Sequence, residues 1–241
     1  MTSLKPLLAC TIALAAASAA LPASAQTPAA PNPAAPVYVV GYIDVTQASK
    51  SQAMTIIKQF RSACAKEDGN QRCEAAQRME QQNEFVVLQV WKDQKSFEAH
   101  NKGPGAQFRG RLRPILSSPY DERVHSALSV MPPQPAPSGR VVYVVTHIDI
   151  AVSRVADAPP LLTQMAEASR RDAGNSRFEV LQQRAPAASQ FTLVEIWSNK
   201  RQLEAHQALP RTIQFRDKLQ PLMEALYDAV SYTHLTLPTK A

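Results

Sequence analysis

The sequence predicts an α+β chain in which two copies of a βαββαβ unit pack sheet to sheet. The first observation behind this is an internal repeat. Val37-Tyr38-Val39-Val40 returns as Val142-Tyr143-Val144-Val145, Gly69-Asn70 as Gly174-Asn175, Glu98-Ala99-His100 as Glu204-Ala205-His206, and Tyr120-Asp121 as Tyr227-Asp228. The offset drifts only from 105 to 107, a period that fits a duplicated small domain and is far too long for a solenoid unit. The second is that strand and helix periodicities follow one another in the same order in both copies. The third is that Phe85-Val86-Val87-Leu88-Gln89-Val90-Trp91 is apolar on both alternating faces, so both sides of its sheet must be covered.

Each copy opens with a strand, 37–45 and 142–150. A helix follows, in which Ala53, Ile56, Ile57, Phe60 and Cys64 form one stripe at a period of 3.6. In the second copy Pro159-Pro160 can stand only in or before the first helical turn. Gly69-Asn70 and Gly174-Asn175 stop these helices. Two strands come next, 71–79 and 85–91, matched by 176–184 and 191–197. A broken helix spans 94–116 and 201–225, and a last strand lies near 120–128. The order is the ferredoxin-like arrangement, with both helices on one face of an antiparallel sheet. The other face needs a partner, and the second copy supplies it within the same chain.

The flanks read differently. Residues 1–25 form a signal peptide, with Lys5, an apolar run and Ala23-Ser24-Ala25 as the cleavage pattern. A lipoprotein reading through Cys10 would leave most of that run beyond the cysteine. The apolar run is short of a membrane span, so an exported chain, periplasmic or secreted, is expected. Residues 26–36 are a flexible Pro/Ala-rich leader, 37–130 the first repeat, 131–140 a Pro-rich linker and 141–230 the second repeat. Residues 231–241 depart from the repeat correspondence and resemble the translation of a sequencing adapter, so they are set aside as non-native; the alternative is a native edge strand.

The formal charge of +6 is spread along the chain, two units of it on Lys5 and Lys240. No dense basic run or aromatic-interleaved basic strand is present, which argues against a nucleic-acid partner. No phosphate-cradling glycine loop, Gly-x-Ser-x-Gly or paired-carboxylate signature occurs, and with only seven glycines a nucleotide-binding loop would be hard to hide. Cys64 and Cys73 are candidates for a disulfide confined to the first copy, since Ser169 and Phe178 stand at the equivalent positions. They have no clustered histidines, so no metal site is expected.

A strand-ending tryptophan, followed after an interval by Glu-Ala-His, a proline and a Phe-Arg helix, occurs in both copies. This pattern resembles the antibiotic biosynthesis monooxygenase family, and Trp197 through Leu203-Glu204-Ala205-His206 and Pro210 is similar to its quinol monooxygenase-like members. The resemblance implies a dimeric α+β barrel, here held on one chain as an internal pseudo-dimer and so a monomer. It implies a reaction between a small aromatic substrate, a quinol or polycyclic phenol, and dioxygen, with no cofactor. Haem-degrading relatives carry an axial histidine further along the helix, and neither copy has one there.

Such chemistry needs a base near neutral pKa, an aromatic wall and a group that stabilises an oxyanion. His100 and His206 are the catalytic candidates, because imidazole titrates in that range; the alternative is a structural histidine bonded to a backbone carbonyl. Trp91 and Trp197 either wall the pocket or anchor a core. Arg109 and Arg216 either pair with a phenolate or lie on the surface. Tyr42 and His147 occupy equivalent first-strand positions, and their divergence suggests two unequal pockets. Gln77 and Gln182 sit on an otherwise apolar strand face, implying a hydrogen bond to ligand or to neighbouring backbone. The functional alternative is a non-catalytic module that binds small aromatic molecules, or a stress-related accessory protein.

Overall fold

The computed structural model describes residues 32–132, 134 and 139–235. The proposed signal peptide, 1–25, and residues 236–241 lie outside the described residues.

Both repeats form the expected order of elements. The first comprises β1 (Val37–Asp44), α1 (Lys50–Cys64), β2 (Asn70–Arg78), β3 (Glu84–Trp91), α2 (Gln94–Lys102), α3 (Pro104–Leu112) and β4 (Asp121–Ser129). The second comprises β5 (Val142–Asp149), α4 (Ala158–Ser169), β6 (Asn175–Gln183), β7 (Gln190–Trp197), α5 (Lys200–Gln207), α6 (Pro210–Leu219) and β8 (Asp228–His234). Local chemistry sets the boundaries. The Asp93 carboxylate accepts from Ser96 N at 2.8 Å and Asn199 Oδ1 from Gln202 N at 3.0 Å, capping α2 and α5. Pro104 and Pro210 open α3 and α6, where their missing N–H costs nothing. Gly69 has φ +77°, and a Cβ there would stand 2.1 Å from Ser96 Oγ, so only glycine makes this turn into β2.

Each repeat's sheet runs β4-β1-β3-β2 or β8-β5-β7-β6, and the two join into one closed eight-stranded barrel. The seams are β4 with β6, where Ser126 faces Gln182, and β2 with β8, where Ala76 faces His234. Sheet edges that would template aggregation in a single copy are thereby paired. Ser231–His234, set aside on sequence grounds, form the second half of β8. Tyr232 is buried in the barrel and Leu235 packs under the first repeat's helices.

Two apolar layers lie between helices and sheet, one per repeat, and a third core fills the barrel. On β3, Phe85, Val87 and Trp91 face the helices while Val86, Leu88 and Val90 face the interior. That division accounts for the strand's two apolar faces. Charges also enter the barrel: Arg72 pairs with Glu179 and Arg177 with Glu74, each joining β2 to β6.

Candidate active site in the helix–sheet layer

The two Glu-Ala-His motifs build the same arrangement twice. His100 follows Phe97 by three residues on the buried face of α2, and its ring centroid lies 4.5 Å from that of Trp91. Its Nδ1 is 2.9 Å from each carboxylate oxygen of Glu67, in the turn after α1. In the second repeat His206 stands 4.5 Å from Trp197, and its Nδ1 is 2.8 Å from Asp172 Oδ2. The partner in each case is a carboxylate and not the backbone carbonyl expected of a structural histidine. Such a partner fixes the tautomer with Nδ1 protonated and leaves Nε2 as the basic nitrogen. Burial nevertheless holds His206 below the ordinary imidazole pKa, against the opposing pull of Asp172.

The tryptophans are fully buried. Trp91 Nε1 donates to Gln89 Oε1 at 3.0 Å, and Trp197 Nε1 donates to Glu195 Oε2 at 2.9 Å. This is the sharpest chemical difference between the repeats. Burial pushes the Glu195 carboxyl up to about 7, only partly offset by the Trp197 bond and by Arg216. Beside it lie Tyr227, whose phenol burial raises, and Arg216, whose guanidinium is 5.7 Å from the Tyr227 ring. Glu195, His206, Thr212, Arg216 and Tyr227 line an enclosed cavity of about 10 Å³, room for a single water.

Arg109, the counterpart of Arg216, is committed elsewhere. It donates to Asn101 Oδ1 and to the Asn101 carbonyl, both at 2.9 Å, and to Glu122 at 3.4 Å. Ala229 replaces Glu122 in the second repeat, and Arg216 is in no salt bridge among the described residues.

The remaining candidates do not join the histidine–tryptophan pairs in a pocket. Gln77 Nε2 donates to the Gln82 carbonyl at 2.6 Å and Gln182 Nε2 to the Ala188 carbonyl at 2.8 Å, so each amide braces the following turn. Tyr42 and His147 point to the barrel side and line one shared pocket of about 200 Å³, with Arg123 placed 4.8 Å over the Tyr42 ring. Cys64 and Cys73 form a disulfide, with Cα atoms 6.2 Å apart. Ligand atoms of Cys64, Glu67 and His100 lie within 4.8 Å of one another, but the bridged sulfur offers no thiolate to a metal.

Sequence reasoning assigns no role to Glu195, Tyr227 or the two carboxylate partners of the histidines. Signals existed: an acid recurs at 67 and 172, and Tyr-Asp recurs at 120 and 227.

The family model for antibiotic biosynthesis monooxygenases matches residues 36–107 and again 141–218. This chain belongs to the antibiotic biosynthesis monooxygenase family. Solved structures agree on the fold of this tandem family member. One is a candidate monooxygenase from Fusobacterium nucleatum, 13% identical, with a TM-score of 0.75 over 84% of this chain and 94% of the other. A candidate monooxygenase from Lactobacillus acidophilus is 10% identical, with a TM-score of 0.68 over 85% and 96%. An anthrone oxidase-like protein is 12% identical, with a TM-score of 0.67 over 83% and 92%. No curated protein matches the chain. Among the described residues no helix is long and apolar enough to cross a membrane.

Proposed function

We propose that this antibiotic biosynthesis monooxygenase family member is an exported enzyme that oxidises a quinol or polycyclic phenol with dioxygen and needs no resident cofactor. One observation carries the reading: in each repeat a carboxylate-held imidazole lies against a buried tryptophan, with an arginine and a tyrosine at the edge of the same dry layer. A planar phenol set against tryptophan gives its proton to a base of the layer, for which His100 and His206 are the residues the sequence puts forward. Arginine stabilises the anion, and low polarity keeps that interaction strong. The anion itself reduces dioxygen. For an anthrone, one oxygen atom becomes the new carbonyl and the other leaves as water with the two hydrogens of the oxidised carbon. The Cys64–Cys73 disulfide supports an oxidising compartment.

Oxygen uptake with a panel of hydroquinones and anthrones tests this, alongside His100→Ala and His206→Ala. Uptake with matching quinone formation supports it; no uptake by the unmutated chain across the panel overturns it. A second reading, a non-catalytic binder of small aromatics, is favoured by the burial that holds His206 below the ordinary imidazole pKa and so weakens it as a base. Saturable binding of dihydroxyanthraquinone without oxygen uptake would select it.

A further inference from the structure

We propose that the second repeat alone is the reactive pocket and that Glu195 is the base that takes the substrate's proton, while the first repeat is a locked structural copy. The proposal rests on the monooxygenase reading above and adds where and by which group the reaction begins.

The acid is placed for the task. Glu195 projects from β7 into the helix–sheet layer, on the same strand face as Trp197, and shares its enclosed cavity with His206, Arg216 and Tyr227. From β5 and α4 the neighbouring groups are Thr146 and Met165, neither of them ionisable. Arg216 is therefore the cation available to a developing phenolate. Proton transfer from a neutral phenol to Glu195 leaves the charge of the layer unchanged, which matters where desolvation is severe. The substrate O–H or acidic C–H bond breaks, and an O–H bond forms on the carboxylate. The electron pair stays on the substrate and reduces dioxygen. That pair forms a C–O bond to dioxygen, giving a hydroperoxide. Loss of the second hydrogen of the same carbon with cleavage of the O–O bond leaves the new carbonyl. The outer oxygen departs as water carrying that hydrogen and the proton Glu195 returns. A carboxyl near 7 suits this better than an imidazole held below its ordinary value, which leaves His206 as a positioning group. At position 89 the amide of glutamine cannot take a proton.

Access differs in the same direction. A surface groove of about 150 Å³ between α4 and α6 is lined by Met165 and Phe215, which also line the enclosed cavity beneath. Those two side chains separate solvent from Glu195, and methionine, unbranched and pliable, can swing aside. The equivalent groove of the first repeat, between α1 and α3, is larger, about 230 Å³, but its floor is Phe60 and Phe108, stacked 3.8 Å apart, where the second repeat has the pliable Met165 beside Phe215. The disulfide fastens the end of α1 to β2 there. The corresponding Ser169 and Phe178 leave α4 free of any such cross-link.

The test uses the full chain and Glu195→Gln, which repeats the Gln89–Trp91 bond of the first copy and so fits the fold. At least a 100-fold fall in kcat with KM changed less than threefold, and loss of the activity limb near pH 7, is expected. Gln89→Met should alter kcat less than threefold, and Met165→Phe should lower kcat/KM about tenfold. Glu195→Gln retaining activity within threefold, or Gln89→Met losing as much, overturns the proposal. If the unmutated chain consumes no oxygen, the enzyme reading and the base both fail. Dihydroxyanthraquinone titration then reads the location separately. One equivalent per chain, weakened by Met165→Phe, supports the second repeat as the pocket; two equivalents, or binding indifferent to Met165→Phe, overturns it.

Discussion

Arg177 of the second repeat donates to both carboxylate oxygens of Glu74 in the first, at 2.6 and 3.1 Å, and both side chains are sealed inside the barrel. The pair Arg72–Glu179 repeats the relationship with the copies exchanged. Glu74→Leu strands a buried guanidinium and is expected to cost about 3–5 kcal/mol in urea unfolding. The double variant Glu74→Leu/Arg177→Leu should cost far less than the two single changes added together. Additive losses would show that the pair is not coupled.

The disulfide closes a short loop, with a sequence separation of 9. Its loss should lower stability by about 2–3 kcal/mol from chain entropy. Cys64→Ala/Cys73→Ala, compared with the oxidised parent by chemical denaturation, checks the value. An unchanged midpoint would mean that the bridge constrains nothing in the unfolded chain.

Stability should depend on pH in two opposed ways. The folded Glu195 carboxyl is raised to about 7, so its contribution is present below the unfolded pKa and is lost as pH rises through about 7. Glu195→Gln is therefore expected to be more stable than the parent at pH 8, by about 3 kcal/mol. Burial lowers His125, whose Nε2 lies 3.0 Å from Thr192 Oγ1, to about 4. Its contribution is present above the unfolded pKa near 6.5 and is lost as pH falls through about 4. His125→Gln should flatten the acid limb. Thermal melts from pH 4 to 9 measure both, and parallel curves for parent and variants would contradict the assignment.

Gly41→Thr should destabilise the first repeat by about 1–3 kcal/mol. A Cβ at this position stands 2.3 Å from the buried Tyr120 hydroxyl, although Thr146 is accommodated at the equivalent place in the second repeat. Denaturation midpoints decide it; a neutral substitution would show that Tyr120 can withdraw.

The fold was readable because periodicity and repeat agree. Ala53 to Cys64 announces a helix face, and the doubly apolar 85–91 announces two covered sides. Barrel closure was harder to read. Arg72-Cys73-Glu74 and Arg177-Phe178-Glu179 recur in register, but charged residues on a strand read as outward until the partner copy stands opposite them. His100 and His206 could be placed on buried helix faces by their spacing from Phe97 and Leu203. Their acids could not, since Glu67 and Asp172 arrive from another element. Tyr42 and His147 suggested two pockets because the sequence holds no sign that the two first strands share one barrel mouth. Alternation along the strand puts Glu195 on the face of Trp197, but the burial that raises its carboxyl is supplied by other elements and no local pattern encodes it.

The Gln89–Trp91 and Glu195–Trp197 bonds have one consequence that reaches past this molecule. In an assembly of identical chains a single codon governs both halves, so a charge useful in one pocket is imposed on the other, along with its cost in stability. Joining the halves on one gene removes that constraint. One copy can hold the barrel together while its twin accumulates strained, ionisable and mobile residues.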